Sequence, residues 1–246
     1  MPDAAPRTST ARWVVVGAVM LTFVSYQIPY GRYVVYPMML LSTYAHEMGH
    51  GIAAILVGGR FEQFVMYPDG SGAALTATRD GLARAFTAAG GLIGPPILGA
   101  LMFASAARIR LARTVLAIFA VAVLLSLGLF VRNLFGWIFL IGVFALCGAV
   151  AFRGTALMAQ SLLAFIAAQM SASVFSRSDY LFTPVAQTAE GPMPSDVAQI
   201  ADVLILPYWV WGAACGVFSV AVLVGGLTLF WRSTRAPTKT GGNARP

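Results

Sequence analysis

The chain has two histidines, and both lie in one short run, Ala45-His46-Glu47-Met48-Gly49-His50-Gly51. On an α-helix, side chains four residues apart diverge by only about 40°, so His46 and His50 can close on one metal ion from a single face. The His-Glu-x-x-His spacing is that of zinc hydrolases, where the Glu beside the first ligand reaches water at the open coordination position and acts as general base. Glu47 holds that place. Chance produces the pattern at roughly one position in tens of thousands, about a one-in-a-hundred event for a chain of this length. The bland alternative is a histidine pair satisfied by hydrogen bonds between helices, beside a protonated Glu47. An ionisable residue within an apolar span costs a few kcal/mol unless it is compensated, which weighs against it.

A catalytic zinc takes three protein ligands and keeps a fourth position open. With no third histidine, a carboxylate must complete the set, from Asp3, Glu62, Asp69, Asp80, Asp179, Glu190, Asp196 or Asp202. The ligand must reach membrane depth on an ordered element, which favours Asp196 and Asp202 ahead of the last apolar run; Asp179 comes next. Six residues apart, Asp196 and Asp202 point about 120° from each other on a helix, so one of them at most faces the metal. For Asp196 the competing role is N-terminal capping beside Ser195, worth about 0.5–2 kcal/mol.

The elements that must position these groups are membrane spans. Of 246 residues, 59% are hydrophobic and 10% charged, against about a quarter charged in soluble domains. A water-soluble globule is excluded. Polar breaks divide the chain into apolar runs at 13–30, 33–57, 85–107, 114–131, 134–152, 155–175 and 207–230, which predicts an all-α polytopic membrane protein with six to seven transmembrane helices. Arg7 and Arg12 before the first run resemble a signal peptide, but no small-x-small cleavage site follows, so the run is expected to stay as a span. Lys and Arg divide almost evenly between alternate sides of a seven-span arrangement, and no orientation follows. The net charge of +7 comes from basic residues at span ends and in the tails. That distribution suits a bilayer surface and not nucleic acid. Cys147 and Cys215 lie within apolar runs and read as small hydrophobes rather than a disulfide or a metal pair.

Two polar segments interrupt the spans. Residues 58–84 begin at Gly58-Gly59 and turn at Pro68-Asp69-Gly70-Ser71-Gly72, which predicts a short β-hairpin inserted after the metal-binding helix. Residues 176–199 carry Pro184, Pro192 and Pro194 and end in Ser195-Asp196, a helix start leading into the last run. The expected organisation is an N-terminal tail over 1–12, a membrane-embedded domain over 13–231 and a disordered basic tail over 232–246. Arg132-Asn133 reads as a solvated turn between spans; its functional reading is a hydrogen bond from Asn133 to a substrate backbone, or from Arg132 to an oxyanion. Gly90, Gly91, Gly94 and Gly99 read as sites of close helix packing. Tyr208, Trp209 and Trp211 read as an interfacial belt.

Taken in order, several of these segments resemble the site-2 protease family of membrane-embedded zinc metallopeptidases, in its compact bacterial and plant branch. They are His46-Glu47-Met48-Gly49-His50-Gly51, Gly58-Gly59-Arg60, the turn at Pro68, Ala89-Gly90-Gly91-Leu92-Ile93-Gly94-Pro95, Val131-Arg132-Asn133-Leu134-Phe135, and Ser195-Asp196 with Pro207 and Trp211 beyond. The resemblance covers most of residues 40–230. It implies a zinc site of His46, His50 and an Asp on a later helix, with Glu47 as base, and Ser195-Asp196 looks like the late aspartate motif of the branch. The Asn-Pro and Leu-Asp-Gly elements that carry the third ligand in other site-2 proteases are absent. The implied activity is hydrolysis of a peptide bond in a membrane-associated protein or peptide, in a bacterial cell membrane. The alternative is a non-proteolytic membrane metal-binding protein: a carrier, a sensor or an inactive relative. Two histidines and a carboxylate without further ligands along other spans count against a transport path, and a carrier has no need of Glu47. The sequence leaves the oligomeric state open.

Overall fold

The computed structural model describes residues 4–176, 178–188 and 191–234; residues 235–246 of the expected C-terminal tail, with Asp3 and Glu190, lie outside them. The described chain is mostly helical. In order it forms α1 (Ala4–Gln27), α2 (Arg32–Leu56), β1 (Arg60–Met66), β2 (Gly72–Ala77), α3 (Leu82–Ala106), α4 (Ile109–Leu129), α5 (Leu134–Arg153) and α6 (Ala156–Ser176). A 3-10 turn (Ser178–Phe182) follows, then β3 (Val185–Thr188), β4 (Gly191–Pro194), α7 (Asp196–Val203) and α8 (Tyr208–Ser233). The seven long helices match the seven apolar runs, and α1 already begins at Ala4, within the expected N-terminal tail.

Among the described residues, four helices, α3, α4, α5 and α8, are long and apolar enough to cross a membrane by length and composition, with shorter apolar stretches at Thr10–Ser25 and Ala156–Ser171. Large apolar side chains point outward along the helices, among them Phe23, Ile118, Ile138 and Val217. In water these would be a liability; against acyl chains they are the solvated face. The apolar stretch of α3 is 56% buried while those of α4, α5 and α8 are 22–39% buried, so α3 is the central helix and touches α2, α6, α7 and α8.

Gly49 on α2 and Gly90 on α3 explain the close approach of these two helices. An added Cβ on either would overlap the backbone of the other, and only glycine lets two backbones meet this way.

The predicted hairpin is present as an antiparallel β1–β2 pair with one register irregularity between Phe61 and Gln63. Its turn is tied to α2, with the hydroxyl of Tyr36 donating to the Pro68 carbonyl and that of Thr43 to the Gly70 carbonyl at 2.6 Å. Its apolar face is anchored by Phe64 and Met66, both fully buried, and by Phe61 stacked on Phe130 with ring centroids 4.1 Å apart.

The connection between α4 and α5 differs from the solvated turn expected at Arg132-Asn133. Val131 forms a parallel bridge with Phe64. Asn133 accepts from the Met66 amide at 3.2 Å and donates to the Met66 carbonyl. The Arg132 guanidinium bonds the carbonyls of Val131 and Leu129. The physical reason is the outer edge of β1, whose buried N–H and C=O groups need partners. Asn133 supplies both a donor and an acceptor, as a strand residue would.

Ser195-Asp196 starts a helix as expected, but that helix is the short α7, which ends at Val203; α8 begins separately at Tyr208 behind Pro207. A second antiparallel hairpin, β3–β4, occupies part of the proline-bearing segment, where the sequence showed no alternation to announce it.

Candidate functional site

His46 and His50 project from the same face of α2 with Nε2 atoms 3.2 Å apart. The carboxylate of Asp196 faces both rings, with Oδ2 at 3.1 Å from His46 Nε2 and Oδ1 at 3.4 Å from His50 Nε2. Each residue offers one ligand atom, all within 4.8 Å of one another. Zinc bonds of 2.0–2.2 Å in a tetrahedral set put neighbouring ligand atoms about 3.4 Å apart; the two histidine nitrogens meet that spacing, and one oxygen of Asp196 lies near each of them.

The tautomer of His50 also suits a metal. Its Nδ1 faces the Thr87 carbonyl at 2.9 Å; a carbonyl only accepts, so Nδ1 carries the proton and the lone pair of neutral His50 is on Nε2. Gly91, one turn further along α3, leaves room for the ring, since a Cβ there would overlap it.

Asp196 is free for this role because Ser195 does the capping: the Ser195 hydroxyl accepts from the Ala198 amide at 3.3 Å. The Asp196 carboxylate is 4% exposed and turned toward α2. Burial alone would raise its pKa. When the histidines are protonated, the charge of His50 and hydrogen bonds from His46 and His50 overcome that and hold it below the ordinary carboxylate range.

The other carboxylates go elsewhere. Asp202, six residues on, is mostly exposed and pairs with Arg84 at 3.7 Å, as the helical angle between the two acids requires. Asp69 accepts from the amide and hydroxyl of Ser71 inside the hairpin turn, Glu62 lies 4.0 Å from Arg60 on an exposed face, and Asp80 is exposed. The side chain of Asp179 is outside the described residues.

Glu47 is buried beside this group, against Gly72 at the start of β2. A cavity of about 340 Å³ opens over it, lined by His46, Glu47, His50 and Asp196, with β2 on one wall and residues of β3 and β4 on another.

Tyr180, which the sequence reading did not single out, also lines the cavity. Its hydroxyl donates to Asp196 at 3.4 Å, and its ring stands edge-on to that of His46 with centroids 6.1 Å apart. Burial, then the charge of Asp196, pushes the phenol pKa up, so it remains a neutral donor. A lone tyrosine in a polar segment carries no sequence signal of such a role.

Two histidines at helical spacing, a carboxylate from a later helix and a buried glutamate meet in a bundle of apolar helices. Compared with known families, residues 14–226 match the Peptidase M50B-like family. The chain belongs to that family. No curated protein and no solved structure gives a significant match. Membership places this M50B-like chain among the site-2-protease-like membrane metallopeptidases, and its apolar helices make it an integral membrane protein. Among the described residues of this M50B-like chain, the His46, His50 and Asp196 cluster is the group that could hold a metal ion.

Proposed function

We propose that the protein is an intramembrane zinc endopeptidase in which His46, His50 and Asp196 hold the metal and Glu47 is the general base. The observation that carries this reading is the His–His–Asp cluster, in which the two Nε2 atoms lie 3.2 Å apart and each faces a different oxygen of Asp196, at 3.1 Å for His46 and 3.4 Å for His50, beside a buried carboxylate that belongs to no ion pair among the described residues. A zinc ion bound there supplies an electrophile that acidifies water and polarises a scissile carbonyl. Glu47 takes the proton of the attacking water and passes it to the leaving amine. Tyr180 holds Oδ2 of Asp196, the oxygen that faces His46, and the Thr87 carbonyl holds His50.

The walls of the cavity support an extended substrate. A helical segment hides its amide bonds in its own hydrogen bonds, so a membrane protein must present its cleavage site in extended form. The outer edge of β1 is covered by Val131 and Asn133, whereas Gly72, Ala73 and Ala74 of β2 line the cavity. These small residues let an extended peptide approach the β2 backbone closely and add as a further strand. The substrate is therefore a membrane-protein or peptide segment in extended form.

Metal analysis and peptide cleavage on protein purified in detergent test this reading together. Wild type is expected to carry about one zinc per chain, with cleavage lost on chelation and restored by zinc; His46→Ala is expected to lose both. Cleavage that survives complete removal of the metal would overturn it.

A further inference from the structure

Two polar atoms on α3 are buried without a hydrogen-bond partner in the protein: Nε of Arg84 and Oγ1 of Thr87. Both side chains line the cavity that holds His46 and Glu47. Three residues apart on one helix, they lie on a shared face. Thr87 is only 6% exposed, and a buried hydroxyl without a partner is rare enough to call for a cause.

Nothing in the fold accounts for Arg84. It sits in the first turn of α3, where the helix dipole disfavours a cation. Asp202 approaches only Nη2, at 3.7 Å, and is itself 62% exposed, which makes a weak surface pair. Nε has no partner in the protein and is left with a proton to donate. Among the described residues lining the cavity, Arg84 is the one Lys or Arg. The planar fork of a guanidinium matches a carboxylate better than a single carbonyl, and a hydroxyl one turn along the same helix face is a second donor.

We propose that Arg84 and Thr87 form an anion-reading subsite of the cleavage cavity, selecting substrates with an Asp or Glu side chain close to the scissile bond. This rests on the peptidase reading above and adds the substrate feature that the cavity reads. Asp202 marks the rim of the subsite and competes for the same guanidinium.

The test is peptide binding to the zinc-loaded, full-length Glu47→Gln protein in detergent. Fluorescent peptides of one sequence carry Glu, Gln or Lys at successive positions, each with a free or an amidated C-terminus. At one position the Glu peptide is expected to bind about tenfold more tightly than its Gln counterpart, whatever the terminus. Arg84→Gln is expected to abolish that ratio, Arg84→Lys to restore part of it and Arg84→Glu to turn the preference toward Lys. Thr87→Val should reduce the ratio. Zinc content, read on every variant, identifies any that failed to fold.

A Glu-to-Gln ratio equal in Arg84→Gln and its parent would overturn the subsite, as would the lack of a Glu preference at every position. Preference for a free C-terminus instead of an internal acid would overturn the side-chain reading. Failure of the peptidase reading looks different: binding stays Arg84-dependent while protein with Glu47 intact cleaves none of the peptides.

Discussion

His50 donates its Nδ1 proton to the carbonyl oxygen of Thr87 across 2.9 Å. This one bond joins the motif helix α2 to the central helix α3 and leaves the His50 lone pair facing His46 and Asp196. The close crossing at Gly49 and Gly90 brings the carbonyl within reach, and Gly91 keeps the space that the ring fills.

Gly91→Ala is therefore expected to displace the imidazole. Zinc content should fall well below one per chain while the helical circular dichroism stays close to wild type, because Ala is a better helix former than Gly. Full zinc retention in this variant would show that the ring has another place to go.

Glu47→Gln separates binding from chemistry. The amide keeps the size of the side chain but cannot take a proton, so zinc should be retained while cleavage falls by about 10²–10⁴-fold. Parallel metal analysis and peptide assays read the two effects; loss of zinc would make Glu47 a ligand instead.

Asp196 and Asp202 give opposite expectations from the same short helix. Asp196→Ala removes the proposed third ligand and should weaken zinc affinity by more than about 100-fold, since even supporting residues around metal sites cost 10–100-fold. Asp202→Ala removes only an exposed partner of Arg84 and should leave zinc affinity within about twofold. Competition with a calibrated chelator measures both.

Asn133→Leu takes both hydrogen bonds from the Met66 backbone. Leaving buried backbone groups unpaired costs about 1–3 kcal/mol per group, so the unfolding midpoint should fall. Amide exchange should speed up in β1 more than in α4 or α5. Uniform exchange across the chain would argue that the link does not act on the strand.

The sequence carried the local part of this protein. Four-residue spacing on a helix settles by itself that His46 and His50 share a face, and apolar runs of span length locate the seven long helices. Turn chemistry at Pro68-Asp69-Gly70-Ser71-Gly72 places the hairpin that the structure contains. Each of these depends on interactions between residues near in the chain, so pattern alone reveals it.

Tertiary structure decided which acid meets the histidines. Asp196 and Asp202 are equal in composition and both stand on α7, but the packing of α7 on α3 turns one carboxylate inward and leaves the other exposed beside Arg84. The same holds for Asn133, which became a partner of the β1 edge, and for Tyr180, which reaches Asp196 across 16 positions of sequence. A hydrogen bond between distant segments depends on how helices meet, and no periodicity within either segment encodes that meeting.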